Sequence, residues 1–369
     1  MKTFAFVMAL CATALSAQDR VRAIQAPATP LPSEAASAGV TRFSFIAYGD
    51  TRGRQDGTAL QYEHSTVVDA MIAQIKRLQA TDAPVKFVLQ SGDAVVAGQN
   101  AAQWNVSFIP IIERLMQQAN VPYFFAVGNH DVGTSTTHDA AARQAGLKNT
   151  LDAIVNLIPR DGSPRRLSGY PTYSFGYGNA FFIAIDTNLI GDEVQFNWVK
   201  AQLAGLDRAR FKHVFVFCHH NVFSSGPHGG GTLEATTTEL RNRYMPLFRE
   251  YHVNALFTGH EHLFEHWVET YSDASGEHRM DLIVSGGGGA PPYKYDREPD
   301  TRAYLQANAA AKVRLEHVAK PGAEPGSNPH HYLLLKVDGD QVDMDVIATE
   351  WGVGYQPYRG NRATLTPGR

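Results

Sequence analysis

Five short apolar runs in this chain each end in Asp, Asn or His, and this pattern most narrows what it can fold into. Phe43–Tyr48 leads into Gly49-Asp50-Thr51-Arg52-Gly53, Val85–Gln90 into Ser91-Gly92-Asp93, and Pro122–Val127 into Gly128-Asn129-His130-Asp131. His213–Cys218 leads into His219-His220, and Asn254–Phe257 is followed by Gly259-His260-Glu261-His262. Runs of this length and make-up read as strands buried on both faces. Val67, Val68, Met71, Ile72, Ile75 and Leu78 recur at helical spacing, and Trp104–Met116, Val194–Leu203 and Leu240–Tyr251 also read as helices. Tyr173–Tyr177 and Ala180–Ile185 flank Gly178-Asn179, a hairpin signal. Met280–Val284, Tyr332–Val337 and Val342–Ile347 complete the strands. Helix–strand alternation early and hairpins later predict an α/β fold, a mixed pair of sheets covered by helices.

The carboxyl edge of such sheets is where sites are built. Glycine beside a polar residue lets the backbone turn sharply and approach a ligand closely. Any one of these Gly-Asp pairs alone reads as a turn closed by a local side-chain hydrogen bond. The adjacent His219 and His220 could be one exposed and one core residue. His260 and His262, at alternate positions of an extended segment, would share one face. Together, two carboxylates, one amide oxygen and three imidazoles form a mixed oxygen and nitrogen donor set suited to Mn, Fe, Zn, Co or Ni. That is more than one tetrahedral zinc uses, so the pattern predicts two metal ions.

The rest of the sequence bounds the setting. With 369 residues the chain supports a sizeable core, and it reads as one large domain. Its net charge of −3 gives no basic surface for nucleic-acid duplex or anionic membrane. Lys2, the apolar run Phe4–Leu15 and small residues ending at Ala17 predict a secretory signal over residues 1–17, too short to stay as a membrane anchor. Secreted or periplasmic location follows as an expectation. Cleavage beyond Cys11 would leave Cys218 alone, with no internal disulfide to stabilise the fold. Residues 18–40, rich in Ala, Pro and Ser, read as a flexible solvated lead-in, 41–349 as the catalytic domain, and 350–369 as a C-terminal tail. Five of the 15 His fall in the strand-end motifs.

In this order, Gly-Asp, Gly-Asp, Gly-Asn-His-Asp, His and Gly-His-x-His resemble the calcineurin-like metallophosphoesterases, including purple acid phosphatases, from Phe43 to Ile347. Tyr173–Asp186 and Ser285–Ala290 resemble that family as well. The resemblance implies two mixed β-sheets packed as a sandwich with helices on both outer faces. It also implies metal-dependent hydrolysis of small phosphate esters with two divalent or mixed-valence transition metal ions. Asp93 would bridge the ions, Asp50 and His262 would hold the first, and Asn129, His219 and His260 the second. A water bridging the ions would attack phosphorus in line. His130 would act as general acid or orient the phosphate, with Asp131 fixing its tautomer.

Two positions depart from the family pattern. Arg52 stands where many members carry the His of Asp-x-His, and Val96 where purple acid phosphatases carry a Tyr three residues after the bridging Asp. Arg52 is therefore read as a phosphate-binding residue. Pro227–Gly231 is a candidate for the substrate rim, and Gly286–Gly289 for a close backbone approach to the site. A phosphodiesterase or nucleotidase of the same fold is the alternative within enzymes. The alternative outside them is a non-catalytic metal-binding protein.

Overall fold

Alternation of apolar side chains decides how the sheets stack. The computed structural model describes residues 20–133, 135–231, 233–349, 355, 357–358 and 363–365; the signal expected over 1–17 lies outside them. The strands are β1 (Arg42–Tyr48), β2 (Val85–Gln90), β3 (Tyr123–Phe125), β4 (Tyr173–Tyr177), β5 (Ala180–Ala184), β6 (His213–Phe217) and β7 (Ala255–Thr258). After them come β8 (Phe264–Asp273), β9 (Gly276–Ser285), β10 (Arg314–Ala319), β11 (His331–Asp338), β12 (Gln341–Ala348) and β13 (Ala363–Leu365). One sheet runs β13-β12-β11-β1-β2-β3, the other β10-β8-β9-β7-β6-β5-β4. Both mix parallel and antiparallel pairs, as the α/β expectation requires.

Phe182 and Phe215 face the first sheet, while Phe181, Ile183, Val214 and Val216 join the apolar layer on the opposite side. That is the period-two geometry of a strand. Phe45 of β1 meets Phe182 edge-on at 5.2 Å and Phe257 at 5.9 Å, and Phe87 of β2 meets Phe182 at 5.1 Å. The rings of the two sheets thus interlock. Outside the first sheet, the helix Tyr62–Leu78 buries Val67, Val68, Met71, Ile72 and Ile75 with Ile112 and Leu115 of the helix Ile109–Ala119. Outside the second, Val199 and Leu203 of the helix Glu193–Ala204 and Phe248 of the helix Met245–Glu250 cover Val214, Val216 and Leu256. Among the described residues no helix is long and apolar enough to cross a membrane.

Two expected single helices are interrupted. Wide π-helical turns at Trp104–Phe108 and Leu240–Tyr244 precede Pro110 and Pro246. Proline lacks the N–H and crowds the carbonyl four residues back, and a widened turn relieves that crowding.

The domain boundaries also move outward. The segment expected to be solvated over 18–40 is tied down within its described part: Ile24 is fully buried and its N–H donates to Ala153 O at 2.8 Å. Arg22 Nη2 pairs with Glu113 Oε2 at 2.8 Å, and Arg165 Nη2 with Glu34 Oε2 at 2.8 Å. A few apolar and charged side chains suffice to dock a segment whose average composition is polar. At the other end β13, within the expected tail, pairs with β12 through Val342 and Leu365. Neither 41 nor 349 ends the folded body.

One buried ion pair connects fold and site. Arg143 and Asp186 are paired with both side chains fully buried, and Asp186 Oδ1 accepts from Asn188 N and Nδ2 at 3.0 Å. Arg143→Ala would leave the Asp186 carboxylate buried without its counter-charge. A loss of about 3–5 kcal/mol is expected, read as a lower denaturant midpoint; an unchanged midpoint would refute it.

Candidate metal centre

The parallel strands align their carboxyl ends, Tyr48 opposite Gln90 and Gln90 opposite Phe125 in one sheet, Phe217 opposite Phe257 in the other. The loops that follow are stitched together. Asp50 N donates to Gly92 O at 3.0 Å, Thr51 N to Asp93 O at 3.0 Å, and Gly259 N to His219 O at 2.9 Å. The close approach explains the glycines beside the polar residues. A Cβ on Gly128 would lie 2.1 Å from Asp93 Oδ1, and one on Gly259 would lie 2.3 Å from Asp50 Oδ2.

Asp50, Asp93 and His260 have positive φ angles of 59°, 59° and 70°. Each such non-glycine residue costs of order 1–3 kcal/mol. His260 and His262 are therefore not alternate residues of an extended segment. β7 ends at Thr258, and a left-handed bend sends the two imidazoles into adjoining halves of the site. His219 and His220 are both buried, so neither is the exposed member of a pair.

The half built on Asn129 consists of hydrogen-bond acceptors. His219 Nδ1 donates to Ser91 O at 3.0 Å, so its Nε2 carries a lone pair. That lone pair lies 2.9 Å from Asn129 Oδ1 and 3.4 Å from Asp93 Oδ1. His260 Nε2 faces Glu234 Oε2 at 3.0 Å and takes the proton, which leaves Nδ1 as a second lone pair, 3.2 Å from His219 Nε2. Four acceptor atoms thus converge with no proton between them. Such a set could hold a cation. Burial and the neighbouring His260 push the His219 imidazole well below its usual range, keeping it a neutral donor.

The half built on Asp50 is different. Asp50 Oδ1 lies 3.5 Å from His262 Nε2, but the Arg52 guanidinium reaches in between the two halves. Its Nη2 donates to His262 Nε2 at 2.8 Å, and its Nη1 contacts His130 Nε2 and lies 3.5 Å from Asp93 Oδ2. The structure thus brings Asp50, Arg52, Asp93, Asn129, His130, His219, His260 and His262 into one site. Two ions were expected there, and one donor set already meets a guanidinium. Burial, then Asp93, raises the Asp50 carboxyl well above the carboxylate range, and Arg52 opposes that rise.

Asp131 has another role than expected. The His130 tautomer is set by Val96, whose carbonyl accepts from Nδ1 at 2.7 Å. Asp131 instead accepts from Asp93 N, Gly128 N and Ala94 N, each at 2.8 Å. One helical step past His130, its carboxylate reaches back to clamp the loops that carry Asp93 and Asn129.

Sequence reasoning missed Glu234. Its two oxygens hold His260 Nε2 at 3.0 Å and His228 Nδ1 at 3.1 Å. Burial works to raise the Glu234 carboxyl, yet the His228 and His260 contacts hold it well below the carboxylate range. No motif marks it, because it follows a glycine-rich loop far from the strand ends. That loop, Pro227–Gly231, does lie at the rim: the His228 ring is 4.6 Å from that of His260. The Gly286 backbone likewise approaches the site, since a Cβ there would lie 2.8 Å from Asp50 Oδ2. Asn129, Asn188, His220, Glu234, Thr236 and His260 line a cleft of about 200 Å³ over the acceptor set.

Residues 45–264 match the family model of the calcineurin-like phosphoesterases. Among solved structures the fold is similar to purple acid phosphatase PPD1 from yellow lupin (Lupinus luteus) seeds, with TM-score 0.62 and 19% identity over 92% of this chain. The chain spans 55% of the length of that one. GAP50, the anchor in the inner membrane complex of Plasmodium, superposes with TM-score 0.52 and 14% identity over 89% of this chain and 90% of its own. PhoD does so with TM-score 0.51 and 14% identity over 89% and 72%. No curated protein is significantly similar in sequence. At these identities the likeness is one of fold.

Proposed function

The chain belongs to the calcineurin-like phosphoesterase family, and from that premise we propose that it is an exported, metal-dependent hydrolase of small phosphate esters. The observation that carries this reading is the convergence of four lone pairs from Asp93, Asn129, His219 and His260 beside an imidazole that binds no ion in that set. A metal ion held there supplies a Lewis acid for a phosphoryl oxygen and lowers the pKa of water. The other groups have work of their own. His130 is anchored through Nδ1 on Val96 O and meets Arg52 Nη1 through Nε2; once a bound phosphate draws that guanidinium N–H away, Nε2 is placed to carry a proton to the departing alkoxide. The forked N–H donors of Arg52 match phosphate oxygens. Asp131 fixes the two loops on which these groups ride.

A small ester would bind in the cleft of about 200 Å³ over the acceptor set. Export rests on the signal pattern over residues 1–17. GAP50 shares the fold and is described as an anchor, so likeness of fold alone does not carry hydrolysis; His130 does, because binding a metal does not require it.

The test is to purify the chain, quantify its metal, and assay an aryl monoester, a bis-aryl diester and a nucleotide with Mn, Fe, Zn, Co and Ni in turn. Turnover that chelation abolishes and metal restores supports the reading, and the preferred ester separates monoesterase from diesterase or nucleotidase. Metal-bound protein that turns over none of them overturns it in favour of a binding protein.

A further inference from the structure

We propose that this centre holds one resident metal ion, in the Asp93–Asn129–His219–His260 set, and that the Arg52 guanidinium permanently takes the place of the other. The inference rests on the metal-dependent reading above and specifies how the site is charged.

The argument begins with lone pairs. His262 Nδ1 donates to Pro291 O at 2.8 Å, which leaves a lone pair on Nε2, the atom that would bind a first ion. Arg52 Nη2 occupies it at 2.8 Å. The His262 ring is held in that pose by Tyr293, stacked at 4.0 Å with the planes 15° apart. The neighbouring Asp93 Oδ2 faces Arg52 Nη1 at 3.5 Å. Of the three donor atoms available to a first ion, Arg52 faces His262 Nε2 and Asp93 Oδ2, which leaves Asp50 Oδ1, without a hydrogen-bond partner among the described residues. A single carboxylate oxygen does not retain a transition metal.

Arg52 is also poorly placed to leave. It is 7% exposed, and it is always protonated with no lone pair to offer, so it can neither give up its charge nor become a ligand. Electrostatics agrees: a second divalent ion between Asp50 Oδ1 and His262 Nε2 would stand directly against the Arg52 guanidinium, a cation that faces both His262 and Asp93. Where many family members carry a metal-binding His, this chain has put the positive charge itself on the polypeptide. The phosphate would then be gripped by one ion and one guanidinium fork.

The experiment reads stoichiometry, not rate. The protein is stripped, loaded with Zn(II) or Co(II), desalted and analysed for metal. One equivalent is expected in the wild type and again in His262→Ala, whose side chain is not a ligand in this scheme. His219→Ala is expected to retain essentially none. Arg52→His, which restores the Asp-x-His pattern, is expected to take up two. Should that variant fail to fold, Arg52→Ala opens the same space without adding a donor, and a second, weaker equivalent is expected on titration. Two retained equivalents in the wild type, or loss of the ion in His262→Ala, would overturn the proposal. One ion without turnover of any ester would support this stoichiometry and overturn the proposed activity, whereas two ions with turnover would do the reverse.

Discussion

Asp93→Asn is expected to lose the bound metal and the hydrolytic activity together. The carboxylate stands between the two halves of the site. Its Oδ1 lies 3.4 Å from the His219 lone pair and accepts from His130 N at 3.0 Å, while Oδ2 faces Arg52 at 3.5 Å. The amide has the same shape, so the loops clamped by Asp131 keep their hydrogen bonds to Asp93 N and Gly128 N. What changes is charge and polarity. One acceptor becomes an N–H donor, directed either at lone pairs that would hold a cation or at the Arg52 guanidinium. An ion in such a site stabilises the transition state by several kcal/mol, so its loss is expected to lower the rate by at least about 10³-fold. Elemental analysis should show the variant without metal, and near-UV circular dichroism should show it folded. A folded Asp93→Asn protein that keeps its metal, or a rate within tenfold of wild type, would refute the assignment.

The residues around that carboxylate show what a sequence can and cannot disclose. The five strand ends were legible because strands buried on both faces must be apolar, and because ligand loops packed as closely as Gly128 on Asp93 exclude side chains. β8 was not legible. Its buried positions include Glu265, His266 and Glu269, which interrupt any apolar run. They are tolerated because Ser225 N donates to Glu265 at 2.8 Å, His266 meets Asp281 at 2.7 Å, and Arg249 donates to Glu269 at 2.8 Å. Those partners are distant in sequence, so no local pattern reveals them. The helix Ala141–Ile154 was hidden for a related reason: Arg143 points inward to Asp186, against the usual amphipathic sense.

The site itself divides in the same way. Residue types and order pointed to the donor atoms, because a metal needs lone pairs whatever the fold does around them. Contacts between neighbours in the chain were misjudged. Asp131 follows His130, yet its carboxylate binds backbone N–H groups instead of the imidazole. His260 and His262 reach their places through a left-handed bend, not an extended segment. Glu234 could be found only once the fold had set it against His260. Arg52 was visible as a departure from pattern, but its place among the donors is a tertiary fact.

His130→Ala is the complementary expectation, a loss of turnover with the metal retained. Its imidazole is not part of the four-atom acceptor set, so removing it leaves Asp93, Asn129, His219 and His260 in place. Its backbone N–H to Asp93 Oδ1 survives the substitution, so the loop is still held. What disappears is a ring held by Val96 O on one nitrogen and presenting the other to the site. Removing a general acid typically costs about 10²–10⁴-fold. The size of the loss should depend on the ester. An alkoxide leaves slowly without a proton, whereas an aryl oxide is stable enough to leave alone, so alkyl phosphates should fall toward the upper end of that range and aryl phosphates much less. If His130 merely orients the phosphate through Arg52, both classes would fall equally, and that parallel loss is the result that would remove the acid role. A normal metal content in the variant, measured beside the two rates, ties the loss to the proton and not to the ion.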